Sequence, residues 1–361
     1  IALVGGATGM IGDPSFKAQE RALLDDQRIE QNVAGIRAVI ENLLDTKGPD
    51  SARILNNADW FSGISFITFL RDVGKHFTVN HMMAKESIRA RLEDREHGIS
   101  YTEFSYVLLQ AYDFLYLNEH ENCRLQIGGS DQWGNVVAGT DLIRRVKGSN
   151  EGIFGITLPL VMKADGTKFG KTEQGTIWLS ASKTSPYQFY QFFIQTADAD
   201  VITFIKFFTF LSHEKILQLE ESVRMQPEKR EAQQALAREV TRLIHGDAEL
   251  QRVERASQAL FGSSIRELDG RTLLEVLGEA PSTKIPRARV EQGIPLIDLV
   301  VETGLSASKG AARKEITAGG IYINNERTAD VATLVTEGHL IANQYVVLRK
   351  GKKNYHLVEF N

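Results

Sequence analysis

The sequence predicts an α/β chain: a domain built on a parallel sheet, then a helical domain, then a small α+β domain. Three observations carry this. A short apolar strand runs into a glycine turn twice, in IALVGGATG (1–9) and in LQIGGSDQWGN (125–135), and a helical pattern follows each time. From Ser185 to about Phe261 helix follows helix, rich in Glu, Lys, Gln and Ala. After residue 295 two short helical segments give way to the strand-like runs GIYIN and YVVLRKG.

Taken in order, the first strand and its glycine turn lead into an amphipathic stretch from Gln19 to Leu44 that reads as one or two helices. Helical patterns dominate from Ile64 to Glu119, and Ser100 with Glu103 makes a capping box for a helix over about 102–118. The second strand and glycine turn precede a helix around Val136 to Val146. Two strand–turn–helix units put a ligand crevice at the carboxyl ends of parallel strands, so a Rossmann-like domain is expected over 1–184, with a helical insertion near 60–120. A helical domain is expected over 185–278, interrupted only by Pro227. Pro281 and Pro286, with Ser282 and Thr283, read as a linker over 279–294, and a third domain over 295–361.

At 361 residues the chain is long enough for two or three such domains. Its 42% hydrophobic and 24% charged residues are those of a globular protein, and a net charge of -4 names no partner. Any nucleic-acid contact must come from a local basic cluster. Cys123 is the single cysteine, which excludes an intrachain disulfide and cysteine-type zinc spacing, so no metal site is expected and a cytoplasmic setting fits. The most apolar stretch, VITFIKFFTFL (201–211), contains Lys206 and is far too short to span a bilayer, so no membrane partner is expected.

Four segments bear chemistry. GGATGMIGDPS (5–15) offers backbone amides after a strand, as phosphate cradles do, and it also mimics the opening of NAD-dependent epimerases. Those enzymes would carry a Tyr-x-x-x-Lys pair, and none of the nine tyrosines has lysine four residues on. On the helix 102–118, otherwise apolar, Tyr106, Gln110 and Asp113 fall at i, i+4 and i+7 on one face. Burying Asp113 without partners would cost several kcal/mol (roughly 2–7) or raise its pKa, so protein donors, water or a ligand must meet it. A satisfied core network and a ligand site fit this pattern equally. GGSDQWGN (128–135) couples a glycine pair with Asp131, a carboxylate suited to a ribose, although an ordinary tight turn would read the same. KADGTKFGKT (163–172) sets Lys168 and Lys171 around a glycine, which suits charge developing at a phosphoryl centre, although by spacing alone a solvated lysine loop is the commoner reading.

In order, GGATGMIGDPS, NNADW, YVLLQAYD, QIGGSDQWGN and ADGTKFGKT resemble bacterial tyrosyl-tRNA synthetases, and the likeness extends to RKGKKNY near the end. KFGKT is similar to the class I signature usually written KMSKS, with Phe169 and Gly170 in its variable places. The resemblance implies a class I enzyme with a Rossmann catalytic domain, acting as a homodimer. It would activate L-tyrosine with ATP and Mg2+ and load it onto tRNA(Tyr). Asp113 would hold the tyrosine hydroxyl, with Asn57 supporting that end of the pocket. Tyr106, Gln110 and Asp13 would surround the ammonium group, Gln132 would lie by the carboxylate, and Gly129 and Asp131 would meet the ATP ribose. Lys168, Lys171 and Thr172 would contact pyrophosphate; Thr8, Lys17 and Arg21 are less specific assignments. The stretch 185–278 would lie on the anticodon side. The last domain resembles a ribosomal-protein-like RNA-binding domain, with Lys309, Arg313 and Lys314 in SASKGAARKEI, and Arg349, Lys350, Lys352 and Lys353 in RKGKK, reaching tRNA phosphates.

The pattern departs from the family in one place: the N-terminal HIGH-type motif and the strand before it do not occur. One strand–helix unit, on the order of 50 to 70 residues, is therefore expected to precede Ile1, and a polypeptide starting at Ile1 is expected to be inactive in tyrosine activation. Two other readings compete. One is an RNA-binding protein on an inactive synthetase scaffold, which the paired Lys168 and Lys171 oppose. The other is a paralogue that activates a close tyrosine analogue.

Overall fold

The computed structural model describes residues 1–13, 24–83, 88–89, 98–149, 151–167, 169–172, 175–261, 264–278, 280–351 and 354–361, with the backbone alone at 171, 172, 260, 261 and 264. The chain forms two compact units, Ile1–Phe169 and Gly170–Asn361.

In the first unit strand β1 (Ala2–Val4) turns at Gly5 into the short helix α1 (Gly6–Ile11), and helix α2 (Asp26–Leu43) follows behind an Asp25 cap. Strand β2 (Ile54–Asn56) pairs parallel with β1, Leu3 opposite Leu55. Helices α3 (Ala58–Phe61), α4 (Phe66–Asp72) and α5 (Val79–Met83) then lead towards the long helix α6 (Tyr101–Glu121). Ser100 caps α6 by accepting the Glu103 amide at 3.2 Å, as its spacing predicts. The helix ends at Asn122 with φ 52°, a left-handed conformation that asparagine tolerates better than other non-glycine residues.

Strand β3 (Leu125–Gly129) pairs parallel with β4 (Phe154–Leu158), and helix α7 (Trp133–Lys147) connects them as a β-α-β unit. Helices α6 and α7 share a core in which Val107, Ala111, Phe114 and Leu115 meet Ala138, Leu142 and Ile143. Phe114, 1% exposed, alone contributes about 2–3 kcal/mol of hydrophobic stabilisation. Gly139 makes the contact possible: a Cβ there would sit 3.0 Å from the Phe114 ring. This packing fixes α6, and with it the polar line of Tyr106, Gln110 and Asp113.

The second unit begins with a small hairpin, β5 (Lys171–Thr172) against β6 (Gly175–Thr176). Helices α8 (Pro186–Ile194), α9 (Asp198–Phe208), α10 (His213–Met225) and α11 (Glu231–Phe261) follow. Ser185 and Gln188 form a full capping box on α8, with Pro186 in its first turn. Pro227 opens a single 3-10 turn between α10 and α11, and α11 bends at Gly246, where φ is 85°. Helix α12 (Gly270–Leu277) precedes the terminal sheet.

Residues 279–294, expected as a linker, contain strand β7 (Ser282–Ile285) and helix α13 (Arg287–Gln292). Strand β7 pairs parallel with β13 (Asn354–Phe360), and Ile285 is fully buried. The prolines punctuate ordered elements: Pro281 precedes the strand, and Pro286 is the cap residue immediately before the helix. The remaining elements are β8 (Ile294–Pro295), α14 (Leu296–Glu302), α15 (Lys309–Thr317), β9 (Ile321–Ile323), β10 (Glu326–Thr328), β11 (Leu334–Val335) and β12 (Tyr345–Lys350). The five-stranded sheet runs β10-β9-β12-β13-β7. Its inner face, including Ile321, Ile323, Val346, Leu348 and Val358, forms one core with Leu296, Leu299, Val300, Ala312 and Ile316 of the helices.

Candidate active site

The site of the first unit starts from two asparagines at the end of β2. Asn56 Oδ1 accepts the amides of Gly6 and Ala58, each at 3.0 Å, which ties the glycine turn after β1 to the start of α3. Asn57 is fully buried and fully used. Its Oδ1 accepts the Ala7 amide at 2.8 Å, and its Nδ2 donates to Thr8 Oγ1 at 2.9 Å and Asp113 Oδ2 at 3.1 Å. Thus the glycine turn positions Asn57, and Asn57 positions the carboxylate on α6.

Asp113 is 2% exposed. Besides Asn57 it accepts the indole N–H of Trp60 at 2.9 Å, on its other oxygen. Burial pushes its carboxyl up to about 7, against the two hydrogen bonds, which favour the charged form. An ionised carboxylate offers about four acceptor positions, and two are used here, so Asp113 retains capacity for a donor hydroxyl. Trp60 is itself locked by stacking on Tyr116, with ring centroids 4.4 Å apart and planes 19° apart. Sequence reasoning missed Trp60, although the NNADW segment held a signal: a buried indole must find an acceptor, and its neighbour Asn57 is three residues away.

A cleft of about 480 Å³ opens beside this network, lined by Gly5, Thr8, Gly9, Asp13 and Tyr106 among others. Asp13 Oδ2 accepts Gln132 Nε2 at 2.7 Å, and Gln132 Oε1 accepts Asn135 Nδ2 at 3.2 Å. Gln132 precedes α7 as its cap residue, yet its side chain makes no capping bond, which frees it to reach Asp13. Asp131 folds over Gly129, where a Cβ would come within 2.5 Å of the carboxylate. The structure therefore joins Thr8, Asn57 and Asp113 in one hydrogen-bonded chain and Asp13 with Gln132 in another, while Thr8, Asp13 and Tyr106 face the same cleft. Gln110 is half-buried on α6, one turn before Asp113.

The lysine loop is described in part. Asp165 Oδ1 accepts the Thr167 amide at 2.8 Å and its hydroxyl at 2.6 Å, shaping the turn before it. Lys171 and Thr172 lie on β5, and Gly170, with φ 78°, precedes them. Lys168, Lys17, Arg21, Lys352 and Lys353 lie outside the described residues, as do the side chains of Lys171 and Thr172.

In the second unit the basic residues separate into held and exposed groups. Lys350 Nζ contacts Glu315 Oε1 at 2.8 Å and the Leu305 carbonyl at 2.9 Å, so it serves the fold. Arg349 lies 3.8 Å over the Tyr322 ring, its cross-strand neighbour. Lys309 pairs with Asp298 at 2.7 Å, although its side chain is 73% exposed. Arg313 and Lys314 are exposed on α15.

Comparison with known proteins places the chain in a family. The family model described as tRNA synthetases class I (W and Y) matches residues 1–262, and that of the tyrosine–tRNA ligase SYY-like C-terminal domain matches residues 277–358. The chain is 53% identical over 360 residues to a tyrosine–tRNA ligase of Roseiflexus castenholzii, covering 99% of the chain and 84% of the relative. It is 52% identical over 363 residues to that of Geobacillus stearothermophilus, covering 100% and 84%. Among solved structures, a C-terminally truncated mitochondrial tyrosyl-tRNA synthetase of Aspergillus nidulans is 30% identical, with a TM-score of 0.63 over 72% of this chain and 76% of that one.

Proposed function

The chain belongs to the tyrosine–tRNA ligase family of class I tRNA synthetases, and from that premise we propose how its residues divide the work. The activity is the charging of transfer RNA with tyrosine, with ATP as a substrate. In the first step a carboxylate oxygen of tyrosine attacks the α-phosphorus of ATP, and the bond to the bridging oxygen breaks to release pyrophosphate. In the second, a hydroxyl of the terminal ribose of tRNA(Tyr) attacks the tyrosyl carbonyl and AMP leaves. No enzyme nucleophile takes part, so positioning and electrostatics carry both steps.

The observation that carries the residue assignment is Asp113, buried at the inner end of the site and oriented by Asn57 and Trp60. It accepts the phenolic hydroxyl. Tyr106, Gln110 and Asp13 surround the ammonium group, and Gln132, bound to Asp13, lies by the carboxylate. The close approach of Asp131 and Gly129 suits the ribose of ATP. Lys168, Lys171 and Thr172 meet the departing pyrophosphate. Magnesium arrives with ATP and is part of that substrate. Arg313 and Lys314, with Lys309 and Arg349, contact tRNA phosphates.

A homodimer in the cytoplasm completes the reading. Phe66 and Ile67, 63% and 72% exposed, share α4 with exposed Leu70, and such an apolar surface favours a partner. No helix among the described residues is long and apolar enough to cross a membrane. The test is amino-acid-dependent ATP–pyrophosphate exchange by the full-length protein across all amino acids. Tyrosine alone should support exchange. Exchange with none would favour an RNA-binding remnant, and exchange with a tyrosine analogue alone would favour a paralogue.

A further inference from the structure

The hydrogen bonds at the head of α7 have a polarity. The Asp13 carboxylate can only accept, so Gln132 turns its Nε2 to Asp13, at 2.7 Å, and its Oε1 to Asn135, whose Nδ2 donates at 3.2 Å. Turning the Gln132 amide over would set NH2 against NH2 at one end and a carbonyl oxygen against the Asp13 carboxylate at the other. Both contacts repel.

Asn135 is 8% exposed and three residues beyond Gln132, on the same helix face. Asparagine is a poor helix former, and its neighbours Val136, Ala138 and Gly139 are buried, so an apolar residue there would serve packing at least as well. The buried amide instead bonds the side chain of the preceding turn, which makes no cap hydrogen bond of its own.

We propose that Asn135 is a positioning residue for tyrosine activation: its amide, donating to Gln132 Oε1, supports the orientation in which Gln132 presents its NH2 group towards Asp13 and the substrate cleft. This rests on the assignment of Gln132 to the tyrosine carboxylate. The carboxylate of the substrate needs a donor, and Asn135 holds the other end of Gln132 so that the donor end stays turned to it. An anion facing the carbonyl end would be repelled.

The test uses the full-length protein in four forms: unaltered, Asn135→Asp, Gln132→Ala, and both changes together. Aspartate matches asparagine in shape but presents only acceptors when ionised, so it reverses the demand on Gln132 without opening a cavity. Asn135→Asp should raise KM for tyrosine roughly tenfold to a hundredfold in pyrophosphate exchange, in line with the loss of a hydrogen bond to a charged group, leave KM for ATP nearly unchanged, and lower the melting temperature somewhat because the carboxylate is nearly buried. Gln132→Ala should raise KM for tyrosine at least as much. In the doubly altered protein the aspartate should add nothing, because its effect runs through Gln132.

Additive effects in the double variant would overturn the proposal, as would an Asn135→Asp protein with natural KM for tyrosine. Equal rises in both KM values with a lower melting temperature would assign Asn135 to the fold and also overturn it. If Gln132→Ala itself left tyrosine activation unchanged, the carboxylate assignment would fall, and the positioning role with it.

Discussion

Replacing Trp60 by phenylalanine removes one donor from Asp113 while keeping an aromatic ring to stack on Tyr116. The lost bond is 2.9 Å long and joins an indole 7% exposed to a carboxylate 2% exposed. Water has little access to take its place. A hydrogen bond to a charged group contributes about 1.5–3 kcal/mol, and at 1.4 kcal/mol per factor of ten this is roughly a tenfold to hundredfold effect. The indole N–H favours the ionised carboxyl, so its removal raises the Asp113 pKa further above about 7. More of the enzyme then carries a protonated Asp113 at neutral pH and offers the phenol a poorer acceptor. The assay is kcat/KM for tyrosine and for phenylalanine in pyrophosphate exchange, from about pH 6 to about pH 9. The tyrosine preference of Trp60→Phe should fall by that factor at neutral pH and recover in part as the pH rises. An unchanged preference at every pH would refute the reasoning.

Four further outcomes follow from the same geometry. Asp113 titrates near 3.8 when unfolded and at about 7 when folded, so the folded state binds the extra proton between these values, and stability falls as pH rises through that window by about 4 kcal/mol; denaturant titration should show this slope in the natural protein and lose it in Asp113→Asn. Gly139→Ala forces a Cβ to within 3.0 Å of Phe114 and should cost about 1–3 kcal/mol of stability by the same measurement. Asn324→Ala removes the side chain that donates to the His339 carbonyl at 2.6 Å and accepts the Val347 amide at 2.9 Å, at a fully buried position, and should cost about 2–3 kcal/mol. Alanine at Arg313 and at Lys314 should weaken tRNA binding and lower the slope of log affinity against log salt by about one for each cation removed, whereas changes at Lys350 should mainly lower the melting temperature.

The fold class is legible in the sequence because its signals are local. Two strand–glycine–helix patterns and a run of capped helices need no distant contact to be read. Strands β2 and β4 are harder. Ile54–Asn56 is three residues long, and its pairing with Ala2–Val4 is set by contacts some fifty positions away. The prolines near 281–286 mislead because a proline before a strand and one at the start of a helix look in sequence like those of a linker. The polar line of Tyr106, Gln110 and Asp113 stands out because helical spacing places it on one face of an apolar helix. Trp60 and Asn135 do not stand out. Each acts through a side chain from another turn or another element, and one-dimensional spacing carries no record of the direction in which an amide or an indole N–H points.

The proposed tyrosine site turns on Asp113, and a site built to bond a hydroxyl rejects the analogue that lacks it, a rule for which tyrosyl-tRNA synthetases are themselves the standard example. The most direct test compares the tyrosine-to-phenylalanine ratio of kcat/KM in adenylate formation between the natural protein and Asp113→Ala. The ratio should collapse in the variant, chiefly through loss of activity with tyrosine, while phenylalanine is used about as poorly as before. An undiminished ratio would place recognition of the hydroxyl elsewhere and contradict the assignment.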